Sequence, residues 1–380
     1  TAYEITYGDW SSDVCSSDLA EIILQTGFIK IKFREYVSGA LDVRKAYKLT
    51  EENIKRYPDF VLNKKIIGLL HAVIGSIPRE YQWLIGLAGM EGTASQGIDE
   101  MNEAMGAIAN SAFAVYKQEI LFYLALMQPS QSTDIKQELG LMNTIRGEAG
   151  ENLLMAYSYV NLAMKAGRNE DALAVLNNKA IFQGTFPFPY LSYKKGLLRL
   201  RKLDWESAED FHEFLNHFKG INFIKAAYQK LGWIALLNGD KKNYRQYMDS
   251  CLFMGKTIVD EDKDAVMEAK DTLLPDATLL RARLLFDGGY YTEAMYEISA
   301  IKWSSALPLR SQLEYMYRFG RIFHKMGSPD KAVTFYQYAL TKGEKQPYYF
   351  AANSALLLGN IYEDKKEDRK STRLNSSHRT

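Results

Sequence analysis

A twelve-residue offset recurs down the second half of this chain and constrains its fold more than any other feature. Gly320 is followed by Ala332, Gly196 by Ala208, Ala282 by Ala294 and Val160 by Ala172, while Gly232 departs from the pattern with Tyr244. Gly359 adds a sixth reference position, its Leu358-Gly359 dipeptide matching Leu231-Gly232. A small residue on each of two helices lets the backbones approach, and large neighbours fill the space beside the contact. Apolar residues recur three and four apart, as in Leu121, Leu124 and Ala125 or Leu313, Met316, Tyr317 and Gly320, which is the helical period. Gly167-Arg168-Asn169, Gly239-Asp240 and Gly327-Ser328-Pro329-Asp330 read as helix stops followed by restarts. The chain is therefore predicted to be all-α, a succession of helix pairs. The reference positions lie 36, 36, 50, 38 and 39 residues apart, so the long gap predicts an insertion near 250–275.

Composition narrows the function classes. At 380 residues and 47% hydrophobic, the chain is too long for one ordinary compact domain and ample for a large core or an elongated array. Lys and Arg number 47 against 46 Asp and Glu, a balance that excludes a disordered acidic chain and argues against a general nucleic-acid binder. Two cysteines cannot make a disulfide scaffold, and nine prolines rule out a Pro-rich linker.

The two ends differ from the middle. Residues 9–19 (Asp-Trp-Ser-Ser-Asp-Val-Cys-Ser-Ser-Asp-Leu) and 368–378 (Asp-Arg-Lys-Ser-Thr-Arg-Leu-Asn-Ser-Ser-His) lack helical or strand periodicity. Both resemble translations of a single sequencing-adapter DNA, read on opposite strands. Residues 1–19 and 368–380 are accordingly expected to be non-native segments and are set aside. The charges in residues 8–19 and 368–380 cancel, and Cys251 becomes the one remaining cysteine. This leaves residues 20–148 as divergent N-terminal helical repeats and 149–367 as the regular array, with its last repeat cut after the first helix. Terminal repeats of a solenoid need a polar cap. Ala355, Leu358 and Tyr362 are therefore expected to show an apolar flank to solvent, and the C-terminus to fray or self-associate.

Residues 28–57 read as a divergent unit with Gly39-Ala40 opening its second helix. Ile66–Met90 is the most apolar stretch, but Ile66 to Ile77 is too short to cross a bilayer, which takes about 20 residues. A buried helical hairpin is the expected form of this stretch, with a membrane-surface element as the alternative.

The order of residues in 313–342, with Phe319-Gly320, Phe323, Gly327, Ala332, Tyr336 and Ala339, resembles a tetratricopeptide repeat (TPR). Tyr57-Pro58-Asp59-Phe60, Gly68–His71 through Ser76-Ile77-Pro78, Val259–Lys263 and Ala282–Tyr290 further resemble TPR proteins of Bacteroidetes-type bacteria, over most of 20–367. The resemblance implies a right-handed TPR-like α-α solenoid of stacked antiparallel helix pairs. It implies a periplasmic or cell-envelope location, with the cytoplasm as the alternative, and no known activity.

No constellation of catalytic residues stands out. His212 and His217 are five apart, whereas zinc-binding helices space histidines by four, so they read as solvated helix residues. His71 in its apolar helix reads as a hydrogen-bonded core residue, and Cys251, with no basic partner, as helix packing. Asp260-Glu261-Asp262-Lys263-Asp264 lacks the central Gly and closing Glu of a calcium loop and reads as a solvated turn or N-cap region. Phe186-Pro187-Phe188-Pro189-Tyr190 reads as a rigid connection in which Pro sets the entry to the next helix. The chain is expected to be non-enzymatic, with no cofactor and no metal.

The resemblance places function in a groove lined by the first helices, at positions three before, one after and four after each reference residue. The candidates are Tyr193, Gln229, Trp233, Arg283, Phe286, Tyr317, Arg321, His324 and Asn360, with Leu197, Leu200, Leu236, Leu279, Leu356 and Glu363 at the same positions. Aromatic and Arg side chains dominate binding hot spots, so the expected partner is a protein or peptide rather than nucleic acid. Each candidate could instead contact the neighbouring repeat. No clustered Lys/Asn set suited to a C-terminal carboxylate is present.

Overall fold

The structure is a computed structural model that describes residues 12–77, 86, 89–131, 135–150 and 152–365. Among the described residues are eighteen α-helices and no β-strand, with consecutive helices packed in pairs. The chain divides into two compact units between Lys165 and Ala166, inside the Val160–Ala172 offset.

The first unit holds α1 (Ser12–Lys32), α2 (Tyr36–Arg56), α3 (Leu62–Gly75), α4 (Ala94–Ile108), α5 (Lys117–Gln131), α6 (Ile135–Arg146) and α7 (Leu153–Lys165). Residues 12–19, expected to lack regular structure, form the start of α1 and bury Ser17. They continue the helix that the apolar positions Leu24 and Ala20 anchor. The tail 368–380 lies outside the described residues. α1 and α2 form the hairpin expected for 28–57, and Gly39 is its contact point: a Cβ there would come 2.7 Å from Ile31.

α3 carries the first part of the apolar stretch and buries Ile66, Leu69, Leu70 and Ile74; residues 78–85 and 87–88 of the expected hairpin lie outside the described residues. Its partner is α4, seated so closely that a Cβ on Gly97 would stand 2.2 Å from the Gly68 carbonyl oxygen. Thr93 starts α4 as an N-cap by accepting from the Gln96 amide at 3.1 Å. His71 is buried with Nδ1 2.7 Å from Glu100, a satisfied core histidine. No helix among the described residues is long and apolar enough to cross a membrane.

The centre of this unit is a buried ion cluster. Lys65 is 1% exposed and donates to Glu21 at 2.8 Å and Glu119 at 3.0 Å, with its ammonium 4.3 Å from the Tyr116 ring centre. Tyr123 donates its hydroxyl to Glu119 at 2.7 Å. Burial, reinforced by the neighbouring Glu119, pushes the Glu21 carboxyl up to about 7. The cluster borders an apolar cavity of about 250 Å³ walled by Leu24, Phe28, Leu69 and Phe122.

The second unit holds α8 (Asn169–Asn177), α9 (Tyr190–Arg201), α10 (Ser207–His217), α11 (Ile224–Leu237), α12 (Lys241–Phe253), α13 (Asp260–Lys270), α14 (Ala277–Asp287), α15 (Tyr291–Ser299), α16 (Leu309–Lys325), α17 (Pro329–Gly343) and α18 (Phe350–Asp364). The pairs α9/α10, α11/α12, α14/α15 and α16/α17 are those set by the twelve-residue offset. In α16/α17 the ring of Tyr336 lies on Gly320, where a Cβ would come within 2.6 Å of it. Pro329 opens α17 at its first turn, where its missing N–H costs nothing. Pro189 stands at the N-cap of α9, in keeping with the expected rigid entry.

The predicted insertion is α13. It packs on both α11 and α12, as the first helix of a following repeat would. Its acidic first turn suits a helix N-terminus, but Asp262 turns inward. That carboxylate is fully buried and accepts from the amides of Phe223 at 2.8 Å and Ala226 at 3.0 Å, capping α11 from 36 residues away in sequence. The insertion also explains the Tyr at the Ala position of the third repeat. The Tyr244 hydroxyl donates to Glu268 of α13 at 3.1 Å, filling space that another repeat would otherwise occupy.

After α13 the chain leaves α12 and lays α14 against α9 as well as α11. Gly289 sits at φ +86° against Gly167 at φ +69°, and any Cβ on Gly289 would fall 2.0 Å from the Gly167 carbonyl oxygen. Asn169 donates from Nδ2 to the Leu198 carbonyl at 2.8 Å and to the Tyr290 hydroxyl at 3.0 Å. Tyr290 in turn donates to Glu170 at 2.6 Å. In a regular solenoid each repeat touches only its neighbours; here the fourth pair reaches back past the third.

The expected C-terminal flank is not found. Ala355, Leu358 and Tyr362 are buried, the latter two packing with Leu313, Tyr317, Tyr336 and Ala339. These positions face the preceding repeat, and the exposed apolar residue of α18 is Leu356.

Candidate partner-binding groove

The first helices α9, α11, α14, α16 and α18 are in contact in chain order, so one face of each contributes to a common surface. Of the expected groove positions, those three before and four after the reference lie mostly between helices. Tyr193 is 1% exposed and packs on Phe211, Phe214 and Phe223. Tyr317 is buried against Tyr336 and Phe350, and Phe286 against Tyr291. His324 is half-buried, its ring edge-on to Tyr336. Gln229 and Trp233 are buried and donate, from Nε2 at 2.7 Å and Nε1 at 2.8 Å, to Glu268 of the inserted helix. Arg283, Arg321 and Asn360, one after their references, are half-buried, and Arg283 among them lines the cleft described below.

A stripe of basic side chains is turned around each helix from the expected face. It runs through positions two before, one after and five after the reference, spaced three and four apart as one helix face requires. On this stripe stand Lys194 and Arg201 of α9, Lys230 of α11, Arg283 and Asp287 of α14, and Arg318 and Arg321 of α16. Most of these side chains are half-buried, and Trp233, Leu280 and Arg318 at the same positions are buried. Sequence reasoning identified Arg283 and Arg321 and missed the other cations. The signal was present: Lys194, Lys230 and Arg318 share one register on three different first helices.

The stripe's ion pairing is loose. Arg321 lies 3.4 Å and Arg283 3.7 Å from Asp287, longer than a contact pair. Both guanidiniums rest on aromatic faces, Arg283 4.9 Å from the Trp233 ring centre and Arg321 4.1 Å from that of Phe286. Burial opposes ionisation of Asp287, yet Arg321, Arg283 and Arg201 together hold its carboxyl below the usual range. Arg201 Nη1 is buried without a hydrogen-bond acceptor. Lys230 stands 3.8 Å from the Trp233 ring centre; burial, with Arg283 beside it, pulls its ammonium down to about 7. Burial, with Arg201 adding, lowers Lys194 to about 8. Arg318, in contrast, pairs directly with Glu314 of its own helix.

Where this stripe meets α13, a cleft of about 410 Å³ opens between α11, α13, α14, α16 and residues 347–350. Lys230, Trp233 and Arg283 line it together with Glu261, Asp264 and Glu268 of α13, the last in contact with Trp233. Arg310 and Asp271 pair across its end. What the cleft offers a ligand is fixed N–H donors, aromatic faces and acidic side chains. Cys251 lies outside this cleft and is fully buried, its thiol pushed up to about 12 by burial and its Sγ 3.3 Å from the Lys225 carbonyl oxygen. Among the described residues no cluster of three or more His, Cys, Asp or Glu side chains is placed to hold a metal ion.

No family model matches the chain, and no curated protein matches it either.

Proposed function

We propose that the chain is a TPR-like, right-handed α-α solenoid acting as a non-enzymatic scaffold, and that it binds a protein or peptide partner along the first helices of its second unit. The observation that carries this reading is the alignment of one helix register across α9, α11, α14 and α16 beside a cleft of about 410 Å³. Aromatic and Arg side chains in a partly desolvated groove are the groups that anchor polypeptide ligands. Rigid stacked helices hold those groups in place, so little ordering entropy opposes binding.

Selection from a displayed peptide library on the intact chain tests the proposal. Enriched peptides should lose binding to Leu197→Trp and Asn360→Trp variants, which block the groove. They should keep it with Tyr296→Ala, which alters an exposed second-helix position. Failure to enrich any peptide, or enrichment indifferent to the two groove substitutions, would sink the reading.

A further inference from the structure

We infer that the groove takes an acidic segment of polypeptide, whose carboxylates dock on Arg201, Arg283 and Arg321, and this inference rests on the groove reading above. The site owes its existence to the inserted helix. Because α13 occupies the place beside α12, α14 is laid against α9, and Arg201 comes to stand beside Asp287 and Arg283. A regular stack would separate these side chains by a whole repeat.

The Asp287 carboxylate has Arg321 at 3.4 Å and Arg283 at 3.7 Å, with Arg201 and Arg318 acting on it from farther off. Other arginines of this unit hold closer partners: Arg281 lies 2.7 Å from Glu297, and Arg310 and Arg318, which line the cleft, pair directly with Asp271 and Glu314. Arg199, outside the groove, also has only longer pairs, the shortest 3.3 Å to Asp210, but it has three carboxylates to draw on. A buried guanidinium N–H without an acceptor carries a standing desolvation cost, which an incoming carboxylate removes. Stacking on Trp233 and Phe286 fixes the planes of Arg283 and Arg321 while leaving their edges to donate. Lys194 and Lys230, whose ammonium groups are destabilised by burial and by these arginines, gain from the same negative charge.

The acidic side chains of the cleft decide the class of anion. Glu261 and Asp264 of α13 line the same cleft as Lys230 and Arg283 of the basic stripe. They repel a polymer that is anionic along its whole length, such as a nucleic acid. A polypeptide can set carboxylates toward the basic groups and amides or neutral side chains toward the acidic ones.

Fluorescence anisotropy on the full chain tests this with dye-labelled peptides of about twelve residues. One intersperses Asp and Glu among Leu and Ser, a second replaces the acids by Asn and Gln, and a third carries Lys and Arg. A single-stranded oligonucleotide of matching negative charge completes the set. The acidic peptide should bind about tenfold more tightly than its neutral counterpart, and the advantage should shrink as salt is raised. The double substitution Arg201→Gln with Arg321→Gln should erase that advantage. Asp287→Asn, which removes the competing carboxylate, should tighten acidic binding by about threefold, a gain that a misfolded variant cannot mimic. Equal binding of acidic and neutral peptides would overturn the acidic preference and leave the groove reading standing. Binding of no peptide would remove both. Acidic binding unmoved by the Arg substitutions, weakened by Asp287→Asn, or surpassed by the oligonucleotide would each overturn the inference.

Discussion

Each unit holds a basic centre, fully buried in the first and half-buried in the second, and the two are compensated in different ways. In residues 12–165 Lys65 is enclosed by two carboxylates within 3.0 Å and the ring of Tyr116. In residues 166–365 Arg201, Arg283 and Arg321 draw on one carboxylate at 3.4 Å or more, and a buried N–H of Arg201 finds no acceptor. A buried charge survives only when paired and hydrogen-bonded. The first centre meets that condition from its own helices. The second does not, and this shortfall is what the proposed acidic ligand would meet. Burial alone does not separate a structural cation from a ligand-binding one; the acceptors within contact distance do.

Removing each centre should widen this contrast. Lys65→Met strands Glu21 and Glu119 and should cost about 3–5 kcal/mol in urea unfolding. A loss under about 1 kcal/mol would show that the cluster is not the keystone of its unit. Glu268→Ala deprives Trp233, Gln229 and Tyr244 of their acceptor and should cost about 2–3 kcal/mol, with a shift in Trp fluorescence as α13 loosens.

A pH effect belongs to the first centre. Glu21 takes up its proton near 7 in the folded chain and near 4.5 when unfolded. Folding therefore binds a proton between those values, and stability falls as pH rises across them, by at most about 1.4 kcal/mol per pH unit. Asp210, raised to about 6 by burial, adds in the same direction. Unfolding at pH 5 and pH 7.5 should show the decline, and Glu21→Gln should flatten it; a rise would contradict the placement of Glu21. The smallest expected change is Arg201→Met, within about 1 kcal/mol of the parent chain, because a poorly paired buried cation contributes little net stability. A loss as large as that of Lys65→Met would erase the distinction between the two centres.

The helical pairs and the insertion were legible because both follow from spacing along a single strand of sequence. Gly320 over Tyr336 and Gly196 beside Phe211 are local pairings within one repeat. The basic stripe was only half legible. Arg283 and Arg321 lie at the margin shared by the expected and observed helix faces, whereas Lys194, Arg201 and Lys230 lie beyond it. The rotation depends on how tightly neighbouring first helices nest, and side-chain volumes in three dimensions decide that. Asp262 was read as part of a solvated turn because its partners, the amides of Phe223 and Ala226, belong to another helix. The buried pairing of Lys65 with Glu21 and Glu119 spans 44 and 54 residues and left no mark on local spacing.

The contact of Gly289 with Gly167, bolted by Asn169 and Tyr290, also has a mechanical consequence. It joins the start of α8 to the turn after α14, across the excursion that contains the helices between them. Under tension applied at positions 166 and 365, load passes from the start of α8 to the turn after α14 through this clasp, and the excursion is shielded until the clasp yields. Its rupture frees an excursion of about 120 residues, a lengthening of roughly 40 nm at the contour length of an extended chain. In an optical trap this part of the second unit would act as stored slack rather than as a link in series.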